Sequence, residues 1–427
     1  MWGMLTKAKD VVCTFCGCLC DDIILILDEN RIVRVERACA NGMGLFKNYN
    51  PDLLSPKIRG KEASWEKAIK EASEILSSAK YPLIYGLSST SSEAQRVSVK
   101  LAEALGASID STSSVCHGPT GLAMQFVGEP TCTLGEIKNR ADLLIFWGCN
   151  PIVSHSRHFA RYSVMPKGRF VQDGRKGRKI VVIDVRLTQT ARVADVFLQV
   201  KPGGDFELLV ALKALVKGKS LDAVEAGGIS TKVLQELVTD MKTCRYGVIF
   251  FGMGLTMTKG RDLNVRELFS LVKELNDHTK FSALPMRGHG NVTGADQVMS
   301  WLCGYPFAVN FSKGYPRYGP GEFSVVDLLC NKETDALLVL ASDPVAHLPS
   351  KAVDHIMEIP TIVIDPAESL SAKKATVYFP TAMYGVDCEG TAYRMDGVPL
   401  RLKAPMKGNR PSDEEVLEAI LEGVRRC

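Results

Sequence analysis

Short apolar runs, separated by polar turns rich in Gly and Pro, recur along this chain. Residues 23–27 and 32–35 flank a turn at Asp28-Glu29-Asn30 and predict two paired strands in a small β-rich cap. Residues 81–85, 143–147, 180–184, 248–251, 281–285, 337–340 and 361–365 are apolar runs of strand length and predict buried strands. Between them lie helical patterns: residues 64–76 capped by Ser64, 88–105 with Ala94, Val97, Leu101 and Leu105 on one face, 205–216 capped by Asp205, 265–275, and a capped 412–424. Strands alternating with helices predict an α/β protein with doubly wound layers.

Two of these stretches resemble each other. Leu143 to Pro151 reads L-L-I-F-W-G-C-N-P, and Leu337 to Pro344 reads L-L-V-L-A-S-D-P. A second strand follows in each, ending at Asp184 and at Asp365, and the tails after them run in the same order to Ala194-Asp195-Val196 and Ala375-Thr376-Val377. The first copy carries extra residues around 166–179, set in a basic neighbourhood of Arg157, Arg161, Lys167, Arg169, Arg175, Lys176, Arg178 and Lys179. Repeated half-units of this kind bind nucleotide-like ligands at their strand ends, which makes Asn150, Asp184, Asp343 and Asp365 candidate ligand residues. The simpler alternative is that any α/β protein repeats an apolar strand followed by Asn or Asp and Pro.

Composition narrows the class without naming a function. The chain has 427 residues, 46% apolar and 23% charged, as expected of a folded globular protein with several cores. Its 52 basic and 48 acidic residues are too balanced for a general nucleic-acid or membrane-surface binder. The first twelve residues lack a signal-peptide pattern, and no apolar run is long enough to span a bilayer, so a cytoplasmic protein is expected. The thirteen cysteines are an odd number, and the eight beyond the N-terminal group, including Cys427, show no disulfide framework.

Five of those thiols fall within residues 13–39. Cys13, Cys16, Cys20 and Cys39 have the spacing of a metal site, with Cys18 left over and expected to point away. Four thiolates suit zinc or an iron-sulfur cube; one short pair, a third Cys and a distant fourth favour a 4Fe-4S cluster. Zinc would instead make residues 13–39 a nucleic-acid-binding module, but no basic and aromatic pattern surrounds them.

Two loops could carry chemistry. Ser114-Val115-Cys116-His117-Gly118-Pro119 sets a thiol beside an imidazole, which fits a metal thiolate with a nearby proton donor better than a nucleophile pair; an incidental Cys is the other reading. Met286-Arg287-Gly288-His289-Gly290-Asn291 follows a predicted strand, and its glycines would let backbone approach a phosphate while Arg287 offers a charged fork. It is not a Walker loop, and an ordinary turn remains the alternative. The same holds for Gly252-Met253-Gly254 and Pro202-Gly203-Gly204-Asp205.

Taken in order, the cysteine run, Ser64-Trp65-Glu66-Lys67-Ala68, Gly148-Cys149-Asn150-Pro151, Lys201-Pro202-Gly203-Gly204-Asp205, Gly252-Met253-Gly254 and Glu389-Gly390-Thr391 resemble the molybdopterin-dependent formate dehydrogenase and dimethyl sulfoxide reductase superfamily. With its length, Cys116-His117-Gly118-Pro119 and the Arg287 loop, the chain is similar to the B subunits of tungsten or molybdenum formylmethanofuran dehydrogenases of methanogenesis.

That resemblance implies two molybdopterin guanine dinucleotides holding tungsten or molybdenum, with Cys116 as the metal thiolate and His117 and Arg287 beside it. It implies dinucleotide contacts from Asn150, Asp184, Arg186, Gly203, Asp205, Gly252, Met253, Gly288, His289, Asn291, Asp343 and Asp365. The implied reaction is reversible reduction of carbon dioxide to formate, with electrons passing through the 4Fe-4S cluster. The implied partners are a zinc amidohydrolase-like subunit, a small barrel subunit covering the pterins and ferredoxin-like electron donors; neither nucleic acid nor a membrane span is expected.

The implied domains are an iron-sulfur domain at 1–58 with 381–406 returning to it, a pterin-binding α/β domain from 59–108 and 281–380, a second one at 109–280 carrying Cys116, and a C-terminal helix at 407–427. Two departures stand out. Asn41 occupies the place where many relatives have Lys, leaving the electron bridge unassigned, and the chain is expected to lack the superfamily's C-terminal β-barrel. The alternatives are a stand-alone formate dehydrogenase and a non-catalytic electron-transfer scaffold of the same fold; retention of Cys116, His117 and Arg287 speaks against the scaffold.

Overall fold

The computed structural model describes residues 5–29, 31–52 and 55–426, so Asn30 of the predicted turn and Cys427 lie outside it. The chain divides into two compact units, one formed by the residues up to Ser114 together with those from His289 onward, the other by Val115–Gly288. Among the described residues no helix is long and apolar enough to cross a membrane.

The first unit opens with an antiparallel sheet of β1 (Thr6–Val11), β2 (Ile23–Asp28) and β3 (Arg31–Glu36). The β2–β3 pair is the predicted hairpin. Strand β1 has no apolar run to betray it, because Thr6-Lys7-Ala8-Lys9-Asp10 is polar and the strand exists through pairing with β2. Val12 and Leu19, which flank the cysteines, are buried against Tyr384, Ala392 and Leu402, and Met395 N–H donates to the Gly17 carbonyl at 2.8 Å.

Next come α1 (Trp65–Ser78), β4 (Pro82–Gly86), α2 (Ser92–Leu105) and β5 (Ser108–Ser111). Ser64 caps α1 as predicted, its Oγ accepting from Lys67 N–H at 3.3 Å. Helix α2 begins at Ser92 rather than at 88. Leu87 turns the chain with φ 70°, its N–H reaches the Leu340 carbonyl at 3.0 Å, and Ser91 rather than Ser88 caps the helix through Ala94 N–H.

The second unit contains β6 (Leu143–Trp147), β7 (Lys179–Asp184), β8 (Val196–Gln199), β9 (Tyr246–Phe251) and β10 (Lys280–Pro285), all parallel in the order β8-β7-β6-β9-β10. Its helices include α3 (Gly118–Val127), α4 (Pro151–Ser154), α5 (Asp205–Val216) and α6 (Asp262–Leu275). Trp147, Phe251, Phe269 and Phe281 join one apolar core, each large buried side chain contributing about 1.5–3 kcal/mol. Asp205 is not the predicted cap of α5. Gly204 holds that place, and the Asp205 carboxylate accepts the Trp147 indole N–H at 2.8 Å.

Back in the first unit are α7 (Val292–Cys303), β11 (Ala336–Leu340), α8 (Pro344–His347), β12 (Thr361–Ile364), β13 (Val377–Phe379) and α9 (Asp413–Arg426). The strands run parallel as β13-β12-β11-β4-β5, flanked by short antiparallel strands. Ser412 caps α9 as predicted, exchanging bonds with Glu415 at 3.2 Å and 2.7 Å.

Both units therefore contain the same five-strand parallel arrangement, β6-β7-β8 matching β11-β12-β13. The repeat extends further than its sequence showed, since β9 and β10 hold the places of β4 and β5 but follow their triplet in the chain instead of preceding it.

The basic stretch after α4 is largely committed to structure. Arg178 donates to the carbonyls of Ala141, Val164, Pro166 and Lys138 at 2.6–3.3 Å. Arg175 pairs with Asp195 at 2.7 Å and Lys179 with Asp240 at 2.6 Å.

Candidate active site

The second unit gathers Cys116, His117 and Arg287. Cys116 stands half-buried just before α3, and its carbonyl accepts Thr256 Oγ1–H at 2.8 Å. His117 occupies the N-cap position of α3 with φ −113° and ψ 21°, a conformation that releases the chain from the preceding turn into the helix. Pro119 then sits in the first turn, where a missing N–H costs nothing.

The His117 ring is buried edge-on to Phe251 with centroids 5.8 Å apart, and Nδ1 is 3.1 Å from Thr120 Oγ1. The Met286 backbone also acts on the ring, in the direction that raises its pKa. Burial, and then the Arg287 charge, push the imidazole down to about 3, so it is neutral at physiological pH. Phe251 links the two, since its ring meets the His117 imidazole and its carbonyl accepts the N–H of Met286, the neighbour of Arg287. Arg287 is itself buried at 6% exposure, on a loop secured by Met286 N–H to the Phe251 carbonyl at 2.8 Å.

Three contacts here escaped sequence reasoning. Thr256, Thr120 and His155 carry no motif; each matters only because the fold brings it to Cys116, His117 or the Arg287 backbone. His155 Nε2 lies 2.7 Å from the Arg287 carbonyl.

In the first unit, Cys13 N–H donates to the Cys20 carbonyl at 2.9 Å and closes the cysteine loop. Burial pushes the Cys13 thiol up, and the neighbouring Cys16, Cys20 and Cys39 add to the effect, so these four thiols share one neighbourhood. Cys18 does not point away as expected: it is buried and hydrogen-bonded to Cys16, because the tight loop from Cys13 to Cys20 turns its thiol toward its neighbours. Among the described residues no three His, Cys, Asp or Glu side chains form a group that could hold a single metal ion. Gly42 packs against two of these thiols, since a Cβ there would come 2.9 Å from Cys13 Sγ and 3.9 Å from Cys39 Sγ.

The candidate ligand residues fall into two sets. Asn150 Oδ1 accepts from Thr190 N–H and Oγ1–H at 3.2 and 2.7 Å, while Asp343 Oδ1 accepts from Ser371 N–H and Oγ–H at 2.9 and 2.6 Å. These side chains hold the repeated turns together. Asn291 is engaged similarly, donating to the Thr90 carbonyl at 2.8 Å and accepting Tyr393 N–H at 2.7 Å, and Asp205 is held by Trp147.

The second set lies at strand ends or in turns. Asp184, the last residue of β7, and Asp365, directly after β12, occupy matching strand ends, each accepting the N–H two residues on, from Arg186 at 3.2 Å and from Ala367 at 2.8 Å. Burial raises both carboxyls, Asp365 to about 8. Arg186, Met253, Gly288 and His289 are exposed, and Gly203 turns with φ 78° before α5. Gly252 permits close approach, since a Cβ there would meet Cys149 Cβ at 2.7 Å.

Parallel sheets with ligand candidates at their carboxyl ends are the frame of an α/β enzyme, and similarity to known proteins gives its class, an oxidoreductase of the pterin-metal kind. A family model for molybdopterin oxidoreductase matches residues 53–404, and the chain belongs to that family. Within it the chain groups with the B subunits of formylmethanofuran dehydrogenases. It is 46% identical to the B subunit of tungsten-containing formylmethanofuran dehydrogenase 2 of Methanocaldococcus jannaschii, over 99% of both chains. It is 44% identical to the protein of that name from Methanococcus maripaludis, over 97% of this chain and 98% of that one. Among solved structures, a chain of the formyltransferase/hydrolase complex of Methylorubrum extorquens superposes with a TM-score of 0.71 at 25% identity, covering 87% of this chain and 99% of the other.

Proposed function

We propose that this chain is the redox subunit of a formylmethanofuran dehydrogenase, interconverting carbon dioxide and formate. The observation that carries the reading is that buried His117 packs on Phe251 while the loop of buried Arg287 is tied to the carbonyl of that same residue, with Cys116 next in sequence to His117. The implied tungsten or molybdenum with its two pterin guanine dinucleotides would supply two-electron redox chemistry; Cys116 would be its protein thiolate. The matching Asp184 and Asp365 positions at the strand ends fit two nucleotide-like groups, and Gly42, packed against the Cys13 and Cys39 thiols, fits a 4Fe-4S cluster held by Cys13, Cys16, Cys20 and Cys39.

The chain's own residues have separable tasks. Arg287 binds and orients the formate carboxylate through its guanidinium. His117, buried and neutral beside the Arg287 charge, relays the proton released when formate is oxidised, and the proton delivered in the reverse direction, without holding it, because its ring stays uncharged. Thr256 holds the Cys116 backbone through its carbonyl, fixing where the thiolate stands.

The division into an iron-sulfur domain and two pterin-binding domains belongs to this reading, as do the cytoplasmic setting, the zinc amidohydrolase-like and barrel subunits and the ferredoxin-like donors. Cys116→Ala in the purified complex should reduce viologen-linked formate oxidation to background while the cluster absorbance near 400 nm remains. Turnover retained by that variant would refute the assignment.

A further inference from the structure

His155 follows α4, at the C-cap position where the equivalent turn of the first unit has Leu348. Both residues make the same backbone bond, His155 N–H to the Pro151 carbonyl at 2.8 Å and Leu348 N–H to the Pro344 carbonyl at 2.9 Å. Only the histidine adds a side-chain reach. Its ring is buried at 4% exposure, with Nε2 2.7 Å from the Arg287 carbonyl and Nδ1 2.7 Å from Ser154 Oγ.

A carbonyl can only accept, so Nε2 carries the proton, and in the neutral ring Nδ1 is an acceptor for the Ser154 hydroxyl, whose single proton is shared between Nδ1 at 2.7 Å and the Asn150 carbonyl at 3.1 Å. Burial keeps the ring neutral by lowering its pKa. The bond therefore joins the rigid Asn150-Pro151 turn to the backbone of the residue whose guanidinium faces substrate in our reading.

We infer that His155 is a positioning residue that fixes the Arg287 backbone, and thereby the affinity of the site for a small carboxylate. This rests on the assignment of Arg287 to substrate binding. His155 touches no reacting atom; it acts through the loop. Loss of the bond frees the Arg287 carbonyl and lets the guanidinium drift, which weakens anion binding more than it slows turnover.

The test compares His155→Leu, which installs the residue of the other copy, with His155→Gln, whose amide can still donate to the carbonyl. In the purified complex, His155→Leu should raise both the KM for formate and its Kd in equilibrium dialysis by about ten-fold, with a smaller change in kcat. His155→Gln should stay within about three-fold of the parent in both. Unchanged formate affinity in His155→Leu, at normal metal content and cluster absorbance, would overturn the inference, as would a Gln variant as impaired as the Leu one.

If His155→Leu fails to assemble, Ser154→Ala decides. It removes the hydroxyl that seats the ring through Nδ1 and should raise the formate Kd by about two- to five-fold; no change would overturn the proposal. Arg287→Ala separates the two claims. Formate binding intact in that variant refutes the substrate role of Arg287, whereas binding lost there but intact in His155→Leu refutes only the positioning.

Discussion

The turn after β6 and the turn after β11 reach one geometry with different residues. Gly148 and Ala341 both have positive φ, 57° and 48°, and Asn150 and Asp343 both sit near φ −125° and ψ 72°, at −125° and 71° in one and −126° and 72° in the other. Each then caps a four-residue helix that starts with Pro, and each gathers the N–H and hydroxyl of a Thr or Ser from the segment after the next strand. The shared geometry presents a strand end in the same way in each unit. The differences fall where the second unit has additional work: Gly148 allows Gly254 to approach closely, and His155 replaces Leu348 to reach the Arg287 loop.

Exchanging the residue at the positive-φ position should break this symmetry most. Gly148→Ala would place a Cβ 2.7 Å from the Gly254 carbonyl carbon in a left-handed conformation, and should destabilise the protein by about 2–4 kcal/mol. Ala341→Gly, at the matching place, should change stability by no more than about 1 kcal/mol. Thermal melts of the purified complex read both; equal losses would show that the turns are packed alike and that Gly148 answers no local need.

A smaller difference concerns pH. Burial pushes buried His158 of the second unit down to about 3. A folded-state pKa depressed below the unfolded value of about 6.5 means that stability is fully present above 6.5 and is lost as pH falls toward 3. His158→Phe should remove that loss, so the stability difference between variant and parent should shift toward the variant by about 1.4 kcal/mol per pH unit below 6.5. Carboxyls raised by burial, Asp110 to about 7 and Asp365 to about 8, act oppositely in the parent, but cancel in the difference. A pH-independent difference in urea midpoints would contradict a buried neutral His158.

Much of this architecture was legible because it rests on local pattern. The parallel strands are unbroken apolar runs such as Leu143–Trp147, whose burial on both faces forbids polar residues. The Asn150-Pro151 and Asp343-Pro344 turns showed the repeat because Pro fixes the first helical position. The cysteine spacing and the pairing of Cys116 with His117 were likewise visible as neighbours in sequence.

What stayed hidden depends on contacts between distant residues. Asp205 looked like a helix cap until Trp147, 58 positions earlier, claimed its carboxylate. Helix α2 looked four residues longer because the Leu87 turn is set by Leu340 of a different strand. The matching of β9 and β10 with β4 and β5 was invisible because the chain visits them in a different order, and a period search needs constant order. His155 had no spacing to announce it; its partner is a backbone carbonyl 132 residues away.

The central claim is that the two equivalent units each present one strand-end site to one nucleotide-bearing pterin. Acid hydrolysis of the purified complex, with GMP released measured against tungsten plus molybdenum, tests it most directly. The account predicts two GMP per metal; one per metal, or none, would contradict it.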